Sequence, residues 1–183
     1  MGVCGSDKVY SHRDRKPLIK PKELVKIELD SSHQLEKEEL DQRVEILRRG
    51  VKKELQKLID NYDDDIDEYT FGSNKTLLLE AVICCPNPAV IDMIMQKGAD
   101  IDKGEYQTGN TPIFLSAVDL KVDFVRNLLK YRPSLEHKNH NKQDIFEFLN
   151  YQLFEKRQKG RKMTDDEKEK YEKINKMLKE YLK

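Results

Sequence analysis

The chain has 183 residues, enough for one domain with a tail. Charged and hydrophobic residues each make up 37% of it, against about 25% charged in an average protein, so the core is expected to be thin and elongated. Lys plus Arg and Asp plus Glu balance at 34 each, which excludes a global field toward nucleic acid and leaves any electrostatic role to local patches.

Three Cys, two of them adjacent at Cys84 and Cys85, exclude a disulfide framework, and no secretory apolar segment precedes them. No uninterrupted apolar run approaches the roughly 20 residues of a membrane span. The expectation is a cytoplasmic protein that touches a membrane, if at all, as a peripheral or anchored one, or that associates with the cytoskeleton.

Residues 1–30 read as an extended, basic, proline-containing tail. Met1-Gly2-Val3-Cys4-Gly5-Ser6 fits the M-G-x-x-x-S/T spacing of N-myristoylation, which makes Gly2 a candidate acceptor. A single acyl chain binds membranes only marginally, so anchoring needs a second signal. Two are at hand: Cys4 as a palmitoylation site, and a run in which Lys8, Arg13, Arg15, Lys16, Lys20 and Lys22 outweigh Asp7 and Asp14. The partner this implies is an anionic membrane surface. In the alternative, the tail is ordered by neighbours in a large cytoskeletal or ciliary assembly.

From residue 31 the pattern turns helical. Val44, Ile46 and Leu47 fall on one helix, Gly50 on a hairpin, and Leu55, Leu58 and Ile59 on the next helix. The acidic stretch that follows alternates Asp63, Asp65 and Asp67, but the sixth and twelfth places of a calcium loop hold Glu68 and Asn74 where Gly and Glu are required. It reads as a solvated turn.

The central third of the chain repeats itself. Residues 75–102 align with 110–136: Thr76 with Thr111 at an offset of 35, then Ile91 with Val125, Ile94 with Leu128, Met95 with Leu129 and Gly98 with Arg132 at an offset of 34. One residue is inserted in the first copy near Cys84-Cys85-Pro86-Asn87-Pro88. A fixed period of this size signals a stack of supersecondary units.

These residues resemble the ankyrin repeat family. Its T-P-L-H-x-A segment appears as Thr111-Pro112-Ile113-Phe114-Leu115-Ser116-Ala117, and its G-A-D-x-N segment as Gly98-Ala99-Asp100-Ile101-Asp102. Leu77 replaces the Pro of the first copy, and Arg132-Pro133-Ser134 replaces Gly-Ala-Asp in the second. The approach from Asp102 to Gly109-Asn110-Thr111 is one residue longer than usual. The resemblance implies an all-α solenoid of helix-turn-helix units over 31–183, with approximate repeats 35–67, 68–102, 103–136 and 137–183. In each, Thr and Pro start the first helix, and Gly98 ends the second with a positive φ.

The last copy is degenerate. Asp144-Ile145-Phe146 stands in the Thr-Pro-Leu place, followed by Phe148, Leu149, Leu153 and Phe154. The final helix opens on a capping box, Thr164-Asp165-Asp166-Glu167, and then places Tyr171, Ile174, Leu178, Tyr181 and Leu182 at helical spacing. Charge-rich end copies suit a solenoid, whose outer faces meet water.

The sequence carries no phosphate loop, nucleophile elbow or zincin motif, so no enzyme, cofactor or metal is expected. The resemblance implies a protein-binding adaptor whose partner meets the loop tips. Carried over, the tips are Tyr69 with Phe71, then Lys103, Glu105, Tyr106 and Gln107, then a polar third tip with His137 and His140. Tyr69, Phe71 and Tyr106 are aromatics in stretches that face water, the pattern of interface anchors. A structural role in an assembly, or a pathogen effector built on the same fold, are the alternative readings.

Overall fold

In the computed structural model, which describes residues 31–62, 65–70 and 73–183, every regular element among the described residues is an α-helix. They are α1 (Ser31–Arg49), α2 (Lys52–Asp60), α3 (Leu77–Cys84), α4 (Ala89–Gln96), α5 (Pro112–Val118), α6 (Val122–Leu129), α7 (Ile145–Gln158) and α8 (Asp165–Tyr181). The tail with Gly2 and Cys4, the start of the acidic turn at Asp63, and Phe71 lie outside the described residues.

Local chemistry sets the helix starts. The hydroxyl of Thr76 accepts from the Leu79 N–H at 3.4 Å, and Pro112 occupies the first turn of α5, where a missing N–H leaves no gap in the ladder. Asp144 Oδ1 accepts from the N–H groups of Phe146 and Glu147, while Glu147 accepts from the Asp144 N–H. That is a capping box in the place of Thr-Pro-Leu. The expected box at Thr164 and Glu167 is present in both directions.

Thr111 departs from the expectation that a Thr hydroxyl starts each pair. Its backbone has N-cap geometry, but its oxygen is buried without a hydrogen-bond partner. The second helices end as expected at Gly98, with φ +90°. Arg132 takes the same left-handed backbone at φ 56°, a conformation that costs a residue with a Cβ more than it costs Gly.

The helices form two layers. α1, α3, α5 and α7 pack side by side in one, and α2, α4, α6 and α8 in the other. Within the first three pairs each helix packs on its partner. This is the helix-turn-helix solenoid that the ankyrin resemblance implies, with the core running as a sheet of side chains between the layers. Leu47, Leu55, Leu77, Leu78, Ile91, Ile94, Ile113, Phe114, Leu128, Ile145, Ile174 and Leu178 are buried in it. Phe114 stacks on Phe148 at 5.5 Å between centroids, joining the third pair to the fourth.

Polar side chains stitch each pair to the one before it. Asn87 Nδ2 donates to Gly50 O at 3.2 Å, and Asn127 Nδ2 donates to Pro88 O at 3.0 Å. Lys121 Nζ donates to Val82 O and Ile83 O at 2.6 and 2.7 Å. A cation thereby satisfies carbonyls in the last turn of α3, where the helix dipole favours it.

Phe154 does not join the core. It is 55% exposed, because α7 runs beyond the shorter α5 and loses the neighbour that covers Phe148 and Leu149. No helix among the described residues is long and apolar enough to cross a membrane.

Candidate functional site

Three loops join successive pairs, and backbone hydrogen bonds fold each into a tip. Thr70 N–H donates to Lys75 O, Glu105 N–H to Asn110 O, and Asn139 N–H to Gln143 O, each at 3.0 Å. The next-to-last residue of each tip has a left-handed backbone: Asn74 at φ 54°, Gly109 at φ 69° and Lys142 at φ 61°. The tips are therefore structural equivalents. The third is one residue tighter than the second, which matches the extra residue read before Thr111.

A ladder of aspartates fixes the loops to one another. The Asp67 carboxylate accepts from the Asp100 N–H at 3.0 and 2.9 Å, and the Asp102 carboxylate accepts from the Ser134 N–H at 2.9 and 3.1 Å. Burial raises the pKa of Asp67 against the opposing pull of that backbone N–H, and the nearby Asp100 and Asp65 charges add to the rise. The Asp of the Gly98-Ala99-Asp100 segment thus has a structural task, as an anchor whose N–H is held from the loop before it.

On this frame the second tip carries the exposed aromatic. Tyr106 is 66% exposed, and its N–H donates to Asn74 O on the first tip at 3.4 Å. Its ring meets the edge of Tyr69 at 5.7 Å between centroids. Tyr69 is fixed in turn: its hydroxyl donates to Gly104 O at 2.8 Å, and Lys103 Nζ lies 5.2 Å from its ring centroid. Glu105 is tied down by the Thr108 hydroxyl at 2.6 Å and Lys75 Nζ at 3.7 Å.

The two histidines close the far side. His137 Nε2 donates to Gly109 O and His140 Nδ1 to Gln107 O, both at 3.0 Å. The His137 ring also packs edge-on against Phe114. Both rings therefore brace the second tip from the third. Among the described residues no group of three or more His, Cys, Asp or Glu side chains is arranged to hold a metal.

Tyr69, Glu105, Tyr106, His137 and His140 line one open groove of about 520 Å³, shared with Gly104, Gly109 and Lys138. Lys103 lies over Tyr69, and Gln107 is exposed on the tip without lining the groove. The floor was not read from the sequence. A Cβ on Gly104 would stand 2.6 Å from Gly109 O, so only glycine lets the two strands of this tip approach so closely. The signal available was the pair of glycines bracketing Tyr106. Lys75 and Lys138 gave no signal, because their roles depend on which loops become neighbours.

No family model matches the chain, and no curated protein matches it. Among solved structures it is similar to the ankyrin repeat domain of Bcl-3, a member of the IkappaB protein family. The identity is 19% and the TM-score 0.49, over 56% of this chain and 43% of that one. The paired helices, the two layers and the equivalent tips of this chain make it a helix-turn-helix solenoid in their own right.

Proposed function

We propose that the chain is a non-enzymatic adaptor that holds a protein partner against its loop edge, with Tyr106 as the central contact. The observation that carries this reading is the pairing of exposure with rigidity at one aromatic. Tyr106 is 66% exposed, yet its backbone and its ring both contact the first loop, at Asn74 O and at Tyr69. A large side chain ordered before contact loses little entropy when a partner covers it, which is the energetic character of an interface hot spot. The groove beside it offers a concave seat for one partner side chain.

Affinity capture from the native source with wild-type and variant baits tests the reading. Tyr106→Ala should reduce recovery of the partner at least about tenfold, the effect of removing a hot spot. Tyr151→Ala, which removes a 47% exposed aromatic on α7, should leave recovery unchanged. Equal recovery by both variants, with unaltered circular dichroism, ends the loop-edge reading. Tethering of the same adaptor to the cytoplasmic leaflet through Gly2 and Cys4 is a further part of the proposal. It is supported by the spacing of those residues and by the basic run behind them.

A further inference from the structure

The three loops differ in charge in a definite order. On the described part of the first loop, Asp65, Asp67 and Glu68 are opposed only by Lys75. The second, residues 97–111, is near balance, with three acids against two lysines. The third, residues 130–144, carries four bases, Lys138 and Lys142 among them, against two acids. Asp65, Glu68, Lys138 and Lys142 are all exposed. The edge thus runs from negative to positive, with Tyr69, Tyr106 and the groove at its middle.

We infer that the partner presents to this edge an extended segment with the complementary order: basic residues against the first loop, an aromatic or large apolar side chain at the groove, and acidic residues against the third. This deepens the docking reading of the previous section and rests on it. Helices packed side by side stand about 8–10 Å apart, so three consecutive tips span roughly 20 Å. That matches about six residues of extended chain at about 3.3 Å each. A partner of uniform charge would gain at one end of the edge and be repelled at the other, so the order of charges, and not their number, selects the segment.

The test uses the full chain and two fluorescein-labelled heptapeptides of identical composition. One has two lysines, then Gly-Phe-Gly, then two glutamates; in the other, lysine and glutamate alternate on each side of the same centre. The blocked peptide should bind several-fold more tightly in anisotropy titrations, and raising the salt should erase the difference, because exposed charges are screened. Glu68→Lys and Lys138→Glu should each weaken the blocked peptide about threefold to fivefold, the scale of one exposed ion pair.

The double variant Glu68→Lys/Lys138→Glu leaves acids and bases balanced on both outer loops, so it should lose the preference for the blocked peptide altogether. Equal affinities of the unaltered chain for the two peptides, or no saturable binding of the blocked one to it, overturns the charge order. The docking reading itself stands or falls separately, on capture by Tyr106→Ala. Sedimentation of the same samples supplies the last arm: a salt-sensitive dimer of the chain, lost in the single variants, would give the edge to a second copy and overturn the heterotypic segment.

Discussion

Two threonines occupy the same place in successive repeats and do different things there. The Thr76 hydroxyl accepts the Leu79 N–H, whereas the Thr111 hydroxyl is buried with no partner. A capping oxygen is worth about 1 kcal/mol, while an unpaired buried one costs a desolvation penalty that a methyl group would not incur. Thr76→Val should therefore lower stability in urea denaturation by about 0.5–1 kcal/mol. Thr111→Val, a change of nearly equal volume, should be neutral or stabilising. Equal losses in both would mean that the Thr111 oxygen has a hydrogen bond after all. The aligned threonines marked both helix starts in the sequence, and both helices do start there. Whether a hydroxyl then finds an N–H depends on rotamer and packing, which no one-dimensional alignment records.

At the scale of elements, the least legible feature is a buried charge. Glu80 lies within the apolar helix Leu77–Cys84 and is 3% exposed. Its carboxylate accepts from Arg43 Nε at 3.0 Å and from the Ser73 hydroxyl at 2.7 Å, while Arg43 Nη2 also donates to the Thr70 hydroxyl. The network ties α1 to α3 and to the first tip. Nothing in the sequence links Arg43 to Glu80, which lie 37 residues apart on helices that meet only in the solenoid.

Removing one partner of such a pair strands the other, whereas removing both can cost little. Arg43→Met alone should destabilise the chain by about 3 kcal/mol. The double variant Arg43→Met/Glu80→Leu should recover most of that, because the next repeat already holds Leu115 at the position equivalent to Glu80. A double-mutant cycle measures the coupling directly. Losses that simply add would show that the two side chains do not interact. The apolar periodicity that predicted the helices gave most of their inward faces, with Phe154 and Leu182 left exposed. It is silent on polar networks, since these are set by cross-repeat neighbours.

For the whole molecule, stability follows from position in the stack. In a solenoid each unit gains from its nearest neighbours only, so end units have one interface where middle units have two. α3 and α5 are packed on both sides within their layer, by α1 and α5 and by α3 and α7 respectively. α8 is unequal along its length: Ile174 and Leu178 in its second half are buried against the core, and its first half from Asp165 buries no residue. Amide exchange reads out such local opening. Exchange should be slowest in Leu77–Cys84 and Ile113–Val118, faster in the far half of α7 beyond Leu149, and graded along α8 from an unprotected start to a protected end. Opening would then spread from the degenerate last pair inward, leaving the braced loop tips between α2 and α5 ordered. Uniform protection across the eight described helices would contradict this, since it would mean that the chain opens as a single cooperative unit.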